Sequence, residues 1–279
     1  MNYRHAYHAG CAADVLKHAV LTLLIRRMQA KEGGFSYLDT HAGLGRYDLT
    51  GVEAGKTGEW QQGIGRLWLN PAPPPILAAY LAVLRTLNPD GALVHYPGSP
   101  ALVRALLRPQ DRMMLCELHP DDVRVLRGHF RQDDQVAVHH RDGYEALGGL
   151  LPPAPRRGLA LIDPPFERRD EWQAMAAAMA IAWKRWPTGT YALWYPIKET
   201  PLIERFRQEL AGSGFRSVLD IEYRPDGRDL PDRLNGSGVL LLNPPWQIDQ
   251  DLEQLLQALP MALDQPTARP RLTWLARGN

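Results

Sequence analysis

Short apolar runs alternate along the chain with longer stretches of helical period, and most of the runs close on a turn-forming residue. The runs are Phe35–Thr40 (FSYLDT), Met113–Glu117 (MMLCE), Val136–His140 (VAVHH), Leu159–Asp163 (LALID), Tyr191–Tyr195 (YALWY), Ser217–Tyr223 (SVLDIEY) and Val239–Asn243 (VLLLN). Between them, Asp14–Ala30 places Val15, Leu16, Ala19, Val20, Leu23 and Leu24 on one helical face, and Asp170–Trp186 and Leu202–Ser213 repeat the period. A last helix over Asp249–Leu263 precedes a closing strand at Arg271–Ala276. Strands that alternate with helices predict an α/β fold: a doubly wound, mainly parallel, seven-stranded Rossmann-like sheet. The alternation breaks at 50–96, where Pro71, Pro73, Pro74 and Pro75 precede a helical pattern over Ile76–Leu87. That stretch reads as a small helical insertion after the first strand, within a single domain spanning 1–279.

Composition adds little to the fold but narrows the setting. With 45% hydrophobic residues among 279, the chain can fill a core without staples. Cys11 and Cys116 lie far apart and make no CxxC pair, so neither a disulfide framework nor a cysteine zinc site is expected. No apolar run is long enough to span a membrane and the N-terminus lacks a signal-peptide pattern, which predicts a cytoplasmic protein with no membrane contact. The net charge of +1 leaves a nucleic-acid partner open. Locally, Arg4, Lys17, Arg26, Arg27 and Lys31 crowd the first helix and its approach, where a solvated basic face is the alternative.

Candidate chemistry gathers at the carboxyl ends of the runs, the edge at which open α/β sheets bind ligands. In LDTHAGLG, Gly43 and Gly45 allow a sharp turn that approaches a ligand closely, although a plain strand-to-helix turn would look the same. Glu117 ends the next strand, where an acid accepts hydrogen bonds from ribose hydroxyls; a surface glutamate is the alternative. Asp142 and Gly143 end the third, placed to meet an adenine amino group or simply to turn the chain. GLALIDPPFE is the most specific signal, with an acid, two prolines and an aromatic directly after a buried strand. An exocyclic amine is a poor nucleophile because its lone pair is delocalised into the purine. Asp163 and the Pro164 carbonyl would accept hydrogen bonds from such an amine, and Phe166 would stack on the base, an interaction of about 1–3 kcal/mol. These features predict a methyltransferase acting on an adenine N6. A second copy, Asn243 to Trp246 (NPPW), follows a later strand and reads as structural. The histidines, His18 and His41 included, form no metal-ligand spacing, so no metal is expected, and these two read as polar walls of a cofactor pocket.

In order along the chain, NYRHAYHAG, ADVLKH, LDTHAGLGRY, YPGSP, ELHP, RDG, LIDPP, YALWYP and NPPW closely resemble the bacterial ribosomal RNA large subunit methyltransferase J family, over almost the full length. The resemblance implies a class I methyltransferase domain that uses S-adenosylmethionine to make N6-methyladenine in 23S ribosomal RNA. By position it implies that His18, His41, Ser99, Glu117, Asp142, Gly143 and Asp163 line the cofactor pocket, that Asp163 is also the catalytic acceptor, and that Tyr3 contacts RNA; the charge of Arg4, next to Tyr3, suits an RNA phosphate. Family members carry DPPY where this chain has DPPF, which removes one polar contact and keeps the stacking face. A monomer without an obligatory protein partner is expected. The competing readings are a DNA adenine-N6 methyltransferase, for which no target-recognition domain is evident, a nucleotide-dependent oxidoreductase, which leaves DPPF without a role, and a non-catalytic RNA-binding module.

Overall fold

The computed structural model describes residues 4–198, 200–227, 230 and 233–278. Its strands are β1 (Ser36–Asp39), β2 (Arg46–Asp48), β3 (His95–Pro97), β4 (Arg112–Glu117), β5 (Val136–His140), β6 (Gly158–Ile162), β7 (Thr190–Ile197), β8 (Val218–Arg224), β9 (Gly236–Leu242) and β10 (Arg269–Ala276). Its helices are α1 (Ala12–Gln29), α2 (Val52–Thr57), α3 (Glu59–Gln62), α4 (Ile64–Leu69), α5 (Ala78–Leu87), α6 (Ser99–Leu106), α7 (Pro120–His129), α8 (Gly143–Gly149), α9 (Glu171–Arg185), α10 (Thr200–Ala211) and α11 (Ile248–Ala262).

Eight strands form one sheet in the order β10-β8-β9-β7-β6-β1-β4-β5. From β5 to β7 every pair is parallel, whereas β9 runs antiparallel to both β7 and β8, and β10 antiparallel to β8. The count exceeds the expected seven because Arg269–Ala276 pairs with β8 along its length. The chain winds outward from β1 to β4 and β5, then returns to β6 on the other side of β1. The connections therefore diverge above β1 and β6 and leave a crevice at their carboxyl ends. Every residue of β1, β6 and β9 is buried, as in strands covered on both faces. One core packs α1, α5, α6, α7 and α11 on one face, and a second packs α8, α9 and α10 on the other.

Helix α1 departs from the one-faced pattern expected of it. Leu16, Val20, Leu21, Leu24 and Ile25 are all at most 1% exposed, because the helix is enclosed between β9 on one side and α5, α6 and α11 on the others. The 50–96 stretch carries α2 to α5 and a 3-10 turn at Pro75–Leu77, and an antiparallel ribbon of β2 and β3 closes its root with Tyr47 opposite Tyr96. It leans on the start of α1: Ile64 N donates to Gly10 O at 2.8 Å, and a Cβ on Gly63 would come within 2.2 Å of that same oxygen. No helix of the described residues is long and apolar enough to cross a membrane.

Candidate active site

A cavity of about 730 Å³ opens at the carboxyl ends of β1, β4 and β6, and its walls include Arg4, His18, His41, Ser99, Glu117, Asp142, Gly143, Asp163, Pro164 and Phe166. The described residues assigned from sequence to cofactor, catalysis or RNA thus border one space, whereas Gly45 and Asn243 do not; Tyr3 lies outside the described residues.

The glycine turn forms its floor. Gly43 has φ +60° and donates its N–H to Glu117 Oε2 at 2.7 Å, while Glu117 Oε1 accepts from His119 N at 2.7 Å. Two backbone donors thus fix the Glu117 carboxylate at the tip of β4, and burial pushes its pKa up. A Cβ on Gly43 would come within 2.5 Å of the Tyr47 hydroxyl, so both the dihedral and the space favour glycine. Asp142 caps α8, its Oδ1 accepting from Tyr144 N and Glu145 N at 2.8 and 3.1 Å. Gly143 lets α8 approach β1 so closely that a Cβ there would be 2.2 Å from Thr40 O.

Ser99 Oγ donates to Asp39 Oδ2 at 2.6 Å, and Tyr37 OH donates to the same oxygen at 2.8 Å. Asp39 is fully buried, and burial raises its pKa to about 6 against those hydrogen bonds. His41 packs edge-on against Tyr144, and burial pushes its pKa down to about 4. His18 stacks on Tyr96, with its Nδ1 2.7 Å from the Tyr96 hydroxyl, and burial pushes its pKa down to about 3, which keeps the ring neutral. Its other nitrogen, Nε2, is buried and has no partner.

At the tip of β6, Lys17 Nζ donates to Asp163 Oδ2 at 2.6 Å and lies 2.9 Å from Asp14 Oδ1. Asp14 Oδ2 in turn accepts from Gly10 N at 2.9 Å and lies 2.8 Å from His5 Nε2. Positions 14, 17 and 18 share one face of α1, whose amino end therefore delivers a line of charge to the DPPF loop. Burial alone would push the Lys17 ammonium down, but Asp14 and Asp163 together hold it well above the ordinary lysine value. The loop itself is tightly held. Phe166 has φ +51° and meets Trp172 and Trp194 edge-on, with centroids 4.9 and 5.9 Å away. Glu171 pins the far end by accepting from Tyr144 OH at 2.7 Å and Arg168 N at 3.4 Å.

Sequence reasoning missed Lys17, Asp14, Asp39 and Trp194 as parts of this site. The first two carry a legible signal in hindsight, an acid and a base three residues apart on the buried face of an apolar helix. Asp39 stands in the LDTHAG turn, where the glycines give the stronger signal. Trp194, whose indole Nε1 is buried without a partner and whose ring lies 5.9 Å from Lys17 Nζ, sits mid-strand and gives no signal. Asn243 is elsewhere: β9 is antiparallel to β7, so its end lies at the opposite edge, where Asn243 Nδ2 donates to Pro187 O and Gly189 O. No group of three or more potential metal ligands occurs among the described residues.

A crevice at the switch point of a parallel sheet, a strand-end acid beside a glycine turn, and an acid-Pro-Pro-aromatic loop one strand away define a Rossmann-like methyltransferase. The model of the family described as ribosomal RNA large subunit methyltransferase D, RlmJ, matches residues 32–276, and this chain belongs to that family. It is 44% identical over 260 residues to ribosomal RNA large subunit methyltransferase J of Escherichia coli K12, covering 92% of this chain and 91% of that one. The protein of the same name from Haemophilus influenzae is 42% identical over 266 residues, 94% of each chain. A crystal structure of a Legionella pneumophila protein superposes with a TM-score of 0.89 at 34% identity, covering 95% of this chain and 98% of that one. Family membership removes the oxidoreductase reading.

Proposed function

We propose that this methyltransferase transfers a methyl group from S-adenosylmethionine to the exocyclic N6 of an adenine in 23S ribosomal RNA. The observation that carries the proposal is Asp163, held by Lys17 in the wall of the cavity with Pro164 and Phe166 beside it. The cavity suits the cofactor: the unpartnered buried Nε2 of His18 is a polar group awaiting a ligand, and the space at Gly43 admits no side chain. His18, His41, Glu117, Asp142 and Gly143 would hold the cofactor, with Glu117 on the ribose and Asp142 toward the adenine. Ser99, whose hydroxyl hydrogen goes to Asp39, completes the wall. When bound, the cofactor supplies an electrophilic methyl group.

The chain's own residues do the rest. Lys17 occupies one oxygen of Asp163 and turns the other toward the amine, so that Asp163 and the Pro164 carbonyl together orient the nitrogen lone pair. The amine becomes acidic only as the new C–N bond forms, and Asp163 then receives its surplus proton. A target adenine must leave its stack to reach such a site, and Phe166, already braced by two tryptophans, gives it a fixed face. Arg4 at the mouth, and Tyr3 next to it in sequence, would meet the RNA.

The test is tritium transfer from S-adenosylmethionine to an unmodified 23S ribosomal RNA transcript, followed by nucleoside analysis, with duplex DNA in parallel. Asp163→Ala should lose most turnover while remaining folded by circular dichroism, and Asn243→Ala should keep substantial activity. An active Asp163→Ala protein, or methylation of duplex DNA in preference to RNA, overturns the reading.

A further inference from the structure

Residues 120–141 place an array of positive charge beside the cavity that the proposed chemistry does not use. Strand β5 is the free edge of the sheet, and α7 packs alongside it. Arg127 is exposed on α7, Arg131 and Arg141 are exposed in the turns that follow α7 and β5, and Arg46 stands half-buried at the cavity rim. Neither Arg46, Arg127, Arg131 nor Arg141 has an acidic partner among the described residues. The acids of the same segment are largely engaged, with Asp121 bound to Arg124, Asp122 to Arg4 and His119, and Asp133 to Arg104, which leaves Asp134; just beyond it Asp142 caps α8 and Glu145 makes no ion pair among the described residues.

Three observations make this one surface continuous with the cavity. A Cβ on Gly45 would meet Leu126 and Phe130 at 2.9 and 3.7 Å, so the glycine turn lies directly on the last turn of α7. The Arg46 guanidinium is near enough to add to burial in depressing the His129 pKa. Arg141 and Arg127 do the same to His139 on β5. Positive charge therefore runs from the cavity rim at Arg46 across the end of α7 to the sheet edge.

We infer that the surface formed by Arg46, Arg127, Arg131 and Arg141 is a phosphate track that holds the backbone of the substrate RNA beside the adenine presented to Asp163. The inference rests on the reading that RNA is the substrate. Several exposed arginines without acidic partners suit a polyanionic backbone better than any one anion, and contacts of this kind position a nucleic acid without reading its sequence. They also leave a measurable mark, because each neutralised phosphate releases counterions and steepens the fall of affinity with salt.

The experiment compares wild type, an Arg127→Gln/Arg131→Gln double variant and a control, Arg216→Gln, which removes an exposed charge just ahead of β8, the strand beside the opposite edge strand β10. Affinity for an unmodified 23S ribosomal RNA transcript is measured by filter binding over a salt series, and methyl transfer by tritium incorporation. The double variant should raise the RNA KM, leave cofactor affinity and kcat unchanged, and flatten the slope of log affinity against log salt by about 2. Arg216→Gln should match wild type. A double variant with wild-type slope and KM overturns the phosphate track even where wild type methylates the transcript, and equal flattening by Arg216→Gln overturns its location. Failure of wild type to methylate the transcript would instead count against the substrate reading itself.

Discussion

At the residue scale the site depends on one buried lysine. Lys17 lies between two carboxylates, and removing one partner of a buried ion cluster costs roughly 3–5 kcal/mol. Lys17→Met should therefore lower unfolding stability by an amount of that order in urea titrations and abolish methyl transfer, with Lys17→Arg restoring stability more than turnover because a guanidinium cannot place a point charge between the same two oxygens. His18 makes a separate prediction about acid. Its pKa is about 3 in the fold, because burial disfavours the charged ring, against about 6.5 unfolded. Between those values the unfolded chain takes up a proton that the folded chain refuses, so the stability contributed by His18 is complete above about pH 6.5 and is lost as pH falls toward 3. His18→Phe should flatten the dependence of unfolding free energy on pH in that window by about 1.4 kcal/mol per unit. Asp39 acts in the opposite sense, since its raised pKa makes its contribution greatest at low pH and lost as pH rises through about 6. The conformational constraint at Phe166 was not legible in sequence: nothing in DPPF announces a positive φ at a bulky residue, a geometry that costs of order 1–3 kcal/mol and persists only because Trp172, Trp194 and the Glu171 anchor hold the loop.

At the scale of elements, the seven apolar runs and the closing strand located all eight strands of the main sheet to within about three residues, most plainly at β1 and β6, because parallel strands buried on both faces are near-continuous apolar stretches. The strands they missed, β2 and β3, are three residues each and pair through Tyr47 and Tyr96 at the root of a helical excursion, too short for any period to register. The position of helix α1 is legible in its period but its enclosure on all sides is not, since that depends on α11, which lies more than two hundred residues later in the chain. The candidate residues at strand ends were legible because topology, not local sequence, puts every parallel carboxyl end on one edge. Lys17 was not, because its partner Asp163 is 146 positions away. The insertion has a role at this scale that sequence gave no hint of: Gly63 touches the backbone of Gly10, just before the helix that carries Asp14 and Lys17. Gly63→Ala should force the two apart and destabilise the protein by about 1–3 kcal/mol, as overpacking does, with methyl transfer falling further than cofactor affinity measured by calorimetry.

At the scale of the whole molecule, a second buried ion cluster lies away from the candidate site. Beneath α10, Arg207 lies against Asp220 and Glu222, 2.7 and 2.5 Å from their oxygens, and all three are less than 5% exposed. No residue of this cluster borders the cavity above β1 and β6. Arg207→Met should cost about 3–5 kcal/mol in denaturant unfolding while leaving cofactor affinity and kcat of the folded fraction at wild-type values. The enclosure of α1 has a further consequence that concerns time rather than energy. This helix is translated before the strand and helix that cover it, β9 and α11, so a nascent chain must carry its apolar surface uncovered until about residue 262 has left the ribosome. A chain halted short of α11 would expose the flank of α1 that α11 covers, and stalled or truncated products of this protein are natural clients for chaperones.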